Sequence, residues 1–153
     1  MEPVYARLVQ DYLDKQQFDK MYDASDKALA LNPDDVTVLV ITGWVIPHNY
    51  NPDDPNAEKR LNQAEANEKH VLDVLAKLPK PANLTDEQFA KTKDQALSQA
   101  HSGLGLVYFR RQDYANSITE LQAGEKIAAA PDPDVYKRQP LRDRCGNGRG
   151  APN

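Results

Sequence analysis

His48, His70 and His101 are the only histidines in the 153-residue chain, and no two lie three or four positions apart. A helix-borne metal site needs that spacing to bring two imidazoles onto one face, so these histidines offer no zinc-type centre. His101-Ser102-Gly103 has the residue types of a nucleophile but not the setting. A nucleophile elbow flanks its serine with glycines on both sides and follows a strand. Asp53-Asp54 and Asp132-Pro133-Asp134 lack the alternating acids and central glycine of a calcium loop, and read as turn formers. Cys145 is the only cysteine, so no disulfide or thiolate cluster can form within the chain. With no catalytic, metal or cofactor constellation in view, the expectation is a non-enzymatic protein without a cofactor.

Charge and hydropathy narrow the partners. The chain carries −4 overall, but residues 135–153 hold five basic residues against Asp143 alone, a local +4, which leaves −8 on the remainder. So acidic a body repels phosphate backbones, and nucleic acid is not expected to bind. The longest apolar stretch, residues 38–46, is interrupted by Thr42 and Gly43 and falls far short of the ~18 residues of a membrane span. Met1-Glu2-Pro3 leads straight into a helical pattern, without the basic start and apolar run of a signal peptide. A soluble protein is expected, periplasmic or cytoplasmic.

The elements that would carry any site are helices. Tyr5, Leu8, Val9, Tyr12 and Leu13 fall at the three-to-four spacing of an amphipathic helix over residues 3–16, and Phe18, Met21, Tyr22, Ser25, Ala28 and Leu29 repeat it over 18–31. A third helix is predicted over 35–46, ending at Pro47, with the β-branched run 36–41 inside it. After the turn-rich "PHNYNPDDP", a long helix over 56–78 presents Leu61, Ala64, Val71, Leu72, Leu75 and Leu78 on one stripe. Thr85-Asp86-Glu87-Gln88 is a capping box that opens a helix to about residue 111. A last helix over 113–130 carries Ile118, Leu121 and Ile127. No strand pattern is present.

Self-similarity organises these helices. Tyr5-x2-Leu8-Val9-x2-Tyr12, Phe18 and Ala28-Leu29-x3-Pro33 resemble a tetratricopeptide repeat, a 34-residue helix–turn–helix unit. Val9 and Gly43 are 34 residues apart, and Leu104-Gly105-x2-Tyr108 matches the core of the same signature, with Tyr114 and Ile118 opening the following helix. The resemblance implies an all-α, right-handed α-solenoid of about three antiparallel helix pairs, near residues 3–33, 35–78 and 85–131. Gly105 would mark a close helix crossing, with Tyr108 and Tyr114 filling the wedge beside the turn. Gly103, by the same register, would face a groove, where alanine should be neutral or slightly stabilising. Twenty-eight extra residues separate Gly43 from Gly105 relative to one repeat, implying two overlong helices whose shared end projects from the stack. There Leu72, Leu75 and Leu78 would meet Phe89, Ala96 and Leu97.

The repeat domain is expected to span residues 1–134. Ile118, Leu121 and Ile127 need a successor to cover them, which fits a fragment of a longer, bacterial repeat protein and leaves self-association through the uncapped last pair open. Residues 135–153 have no period and reversed charge. They read as a disordered basic tail or as non-native sequence, since residues 135–139 resemble translated adapter sequence.

The resemblance implies a concave groove lined by the first helix of each pair, offering Gln10, Leu13, Val40, Trp44, Ser102, Leu106, Phe109 and Arg110. Some tetratricopeptide domains clamp a C-terminal carboxylate with groove Lys and Asn, but those places hold Ala6, Gln10, Ile41, Gln99 and Gly103 here. A protein or peptide ligand of apolar or mixed character is therefore expected, on a non-catalytic interaction scaffold. The alternative is a purely structural segment supporting another domain of a larger envelope or secretion accessory protein.

Overall fold

The computed structural model describes residues 2–129, and within them the chain forms six helices and no strand. They are α1 (Glu2–Asp14), α2 (Phe18–Leu31), α3 (Val36–His48), α4 (Ala57–Lys77), α5 (Asp86–Arg110) and α6 (Tyr114–Ala128). The expected basic tail lies outside the described residues. Local chemistry sets the boundaries. Asp35 Oδ1 accepts the Val38 N–H at 3.2 Å to start α3. Thr85 and Gln88 exchange side-chain-to-backbone bonds, both 3.1 Å, to start α5, and Asp113 caps α6 through the Asn116 N–H.

The expected stop at Pro47 does not occur, because α3 continues to His48. Proline cannot donate to the Gly43 carbonyl, but so near the helix end only that one bond is forfeited. The Asn49 N–H closes the turn onto the Val45 carbonyl at 3.0 Å. The β-branched residues of α3 stay helical because burial outweighs their propensity: Val38 and Thr42 are fully buried and Val40 and Ile46 nearly so.

Consecutive helices pack against each other, α1 on α2, α3 on α4 and α5 on α6, while α3 also packs on α5, α4 on α5 and, over a smaller area, α1 on α3. One apolar cluster joins the first four helices through Val9, Met21, Val38, Val45 and Leu61, and reaches Val107 of α5. A second joins Leu39 and Val40 of α3 to Val71 and Leu75 of α4 and Ala100 of α5, with Leu72, Ala96 and Leu97 packed against it. At the far end of α4, Leu78 is exposed, and Phe89 of α5 lies under Lys93 rather than in either cluster. Of the residues expected to pack there, Leu72, Leu75, Ala96 and Leu97 belong to the second cluster.

Gly105 sits at a close approach of α5 and α6. A Cβ there would lie 2.6 Å from Leu121 Cγ, and the Ser117 hydroxyl donates to the Gly105 carbonyl at 2.8 Å. The tyrosines divide differently from the expectation. Tyr108 is half-buried and its hydroxyl donates to Glu65 of α4 at 3.3 Å, whereas Tyr114 is 55% exposed, edge-on to Phe109. Tyr114 therefore fills no wedge. It stands at the first residue of α6, against the Phe109 ring of α5.

Gly105→Leu should lower unfolding free energy by roughly 2 kcal/mol or more, since even a Cβ there would lie 2.6 Å from Leu121 Cγ and 3.3 Å from its backbone nitrogen. Chemical denaturation of the variant measures this.

Candidate functional site

The surface residues singled out by sequence meet different fates. Trp44 of α3 is 42% exposed and Phe109 of α5 is 50% exposed. Trp44 stacks on His48 one helical turn later, with ring centroids 3.7 Å apart, and His48 Nδ1 lies 2.6 Å from the Trp44 carbonyl. Arg110 bridges the two helices: its Nε donates to the Pro47 carbonyl at 2.9 Å and its guanidinium lies 5.8 Å from the Tyr50 ring centre. An arginine so engaged holds α5 to the end of α3 and offers its remaining donors to a ligand. Gln10 is exposed and donates to Asp14 at 2.8 Å. Leu13 packs against the first cluster, Leu106 is half-buried, and Ser102 donates to the Ser98 carbonyl at 2.9 Å.

Val40 needs a correction. It is 8% exposed and belongs to the second apolar cluster, so it lines no groove. The reason is α4, whose Val71 and Leu75 share that cluster with it. A register taken along one helix does not reveal which neighbour covers it.

Beneath this surface lies the residue that sequence inspection passed over. Glu68 of α4 is fully buried, and neither carboxyl oxygen has a hydrogen-bond partner. Its side chain fills the space left by two glycines on two other helices. A Cβ at Gly43 of α3 would lie 2.5 Å from Glu68 Cδ and 2.6 Å from Cγ, and one at Gly103 of α5 would lie 2.8 Å from Cδ and still closer to Oε1. Burial pushes the carboxyl up to about 9, so it is neutral at physiological pH. Next to it, Asn67 is also buried, with its amide nitrogen unpartnered. The signal was present in the sequence: Leu61, Ala64, Glu68, Val71 and Leu75 follow the three-and-four spacing of a buried stripe.

Three residues earlier the same helix holds a carboxylate in the opposite state. Glu65 accepts hydrogen bonds from Lys69 at 2.5 Å, from Arg111 and from Tyr108. The bonds from Lys69 and Arg111 hold it down at about 2. Arg111 also donates to Glu58 at 3.2 Å and Asn62 at 2.5 Å, tying the end of α5 to the first half of α4.

Elsewhere, an open concavity of about 470 Å³ lies by the α1–α2 turn, lined by Gln16, Phe18, Tyr22, Asn49 and Arg60. Arg60 there is already occupied, 4.2 Å from the Tyr22 ring centre and 3.2 Å from Asp19. Among the described residues no group of three or more His, Cys, Asp or Glu side chains is placed to hold a metal ion. No helix of the described residues is long and apolar enough to cross a membrane. No family model, no curated protein and no solved structure matches the chain.

The seat of Glu68 overturns the expectation that Gly103 faces a groove and tolerates alanine. Gly103 is buried against Glu68, so Gly103→Ala should cost about 1–3 kcal/mol by overpacking. In a Glu68→Ala background the same change should cost much less, because the side chain it strikes is gone. A double-mutant cycle of unfolding free energies measures the coupling.

Proposed function

We propose that the chain is a non-catalytic interaction scaffold, built as a right-handed solenoid of three antiparallel tetratricopeptide-like helix pairs, that binds a protein or peptide. Internal equivalence supports the architecture. Glu68 lies against Gly43 as Leu121 lies against Gly105, so the second and third pairs repeat one contact with different side chains. The order of contacts supports the directions. Gly103, Tyr108 and Arg111 along α5 meet Glu68, Glu65 and then Asn62 and Glu58 back along α4. Gly43 and Pro47 of α3 lie beside Gly103 and Arg110 of α5 in the same order.

The observation that carries the functional reading is the exposure of Trp44 and Phe109 on two helices that pack side by side. Large aromatics left half in water, on rigid elements, are characteristic anchors for a partner. The ligand would be apolar or mixed, with Arg110 meeting a polar group at the edge. The purely structural reading draws on a different observation. Tyr114, Ile118 and Leu121 leave α6 with an exposed apolar face, 55, 56 and 40% accessible, against which another body of protein could rest.

Panning a displayed peptide library against the protein and re-testing the selected peptides on Trp44→Ala separates these readings. The scaffold reading expects binding weakened by about 2 kcal/mol with helicity unchanged. It also expects Trp44 emission near the solvent maximum and quenched by iodide. Selected peptides indifferent to Trp44→Ala but abolished by Ile118→Asp would favour the α6 face instead.

A further inference from the structure

Glu68 is the one fully buried acid among the described residues, with no surface open to solvent. From α3 the only titratable group is His48, which is exposed at the helix end and stacked on Trp44. From α5 the nearest in sequence to Gly103 is His101, whose Nδ1 is 2.7 Å from Glu120 of α6, and beyond it Arg110 and Arg111 are bound to Pro47 and to the Glu58–Glu65 group. On α4 itself Glu65 and Lys69 pair with each other. None of these groups reaches either Glu68 oxygen. The two glycines also leave the side chain nowhere to go, since they bring α3 and α5 into contact with its Cγ, Cδ and Oε1. A carboxylate held there would have no counter-charge and no protein donor, and an unpaired buried charge costs several kcal/mol.

We propose that Glu68 is a proton-dependent latch: α3, α4 and α5 close around the neutral carboxylic acid and part when it loses its proton. The latch operates whether or not the aromatic surface binds a partner, but α3 and α5 carry Trp44 and Phe109, so its opening also separates those two side chains. The sign follows from proton counting. The folded carboxyl ionises near 9 and an unperturbed one near 4.5, so between these values the native state holds one proton more than the unfolded chain. The stabilising contribution is complete below the lower value and declines as pH rises toward the upper one. Over that window the folding equilibrium constant should fall by up to tenfold per pH unit. Glu65 acts in a separate window below it, because its ionisation is displaced downward.

Denaturant unfolding from pH 5 to 10, followed by the fluorescence of Trp44, compares the wild type with Glu68→Gln, a neutral side chain of the same shape. The latch expects the wild type to lose stability steadily against the variant up to about pH 9, with the two agreeing most closely at pH 5. Parallel profiles across the range would overturn it. Should Glu68→Gln fail to fold, the carbon-13 shift of the Glu68 carboxyl in the wild type decides: a protonated acid at pH 7 upholds the latch and a carboxylate at pH 7 overturns it. Amide exchange then tests the parting itself. Protection lost in α4 ahead of α1 as the carboxyl ionises upholds the latch, and equal loss in both overturns it.

Discussion

One side chain of α4 touches two helices at once, and both have given up a side chain to let it in. Glu68 lies against Gly43 and Gly103, and in doing so it sets how closely α3 and α5 approach each other and how α4 lies across them. The remaining contacts of the region depend on that spacing. Arg110 reaches the Pro47 carbonyl only because the two helices are near neighbours, and Leu39, Val71, Leu75 and Ala100 close into one cluster from three helices. A leucine would pack such a seat without a polar cost, and α6 does use Leu121 against Gly105. The carboxyl at the equivalent place exchanges some stability for sensitivity to its own protonation.

Glu65 and Glu68 show how little residue type says about charge. Three positions apart on one helix, one is held far below the usual carboxylate range and the other far above it. The difference lies in their neighbours. Lys69 and Arg111 donate to Glu65 at the rim of the α4–α5 contact, where charge-assisted bonds favour the ionised form. Glu68 points inward to two glycines that offer it no donor. The rim thus fixes the ends of α4 and α5 by ion pairing, while their centres meet in a neutral, apolar layer.

Two apolar areas remain in contact with water, and they differ in kind. Trp44 and Phe109 stand on neighbouring helices with partial partners, His48 and Tyr114, that fix their ring orientations. Tyr114, Ile118 and Leu121 form a stripe along α6. Phe109 borders both areas through its contact with Tyr114.

The sequence by itself determined the number, type and approximate limits of the helices, because the three-to-four apolar spacing, the Thr85 capping box and the turn-rich stretches between helices are local signals. The resemblance of Leu104-Gly105-x2-Tyr108 to a repeat signature also implied a close approach at Gly105, where the structure puts Leu121. α3 runs two residues past the expected stop, because a proline in the last turn forfeits one hydrogen bond and leaves little helix beyond it to disturb. What only the tertiary structure decided is which face of each helix meets which neighbour. Val40 moved from groove to core and Gly103 from groove to seat, and Glu68, to which the sequence assigned no place, stands against two other helices. Periodicity along one helix reports that a stripe is buried. The partner that buries it, and the state of a carboxyl standing in that stripe, depend on side chains tens of residues away in the chain.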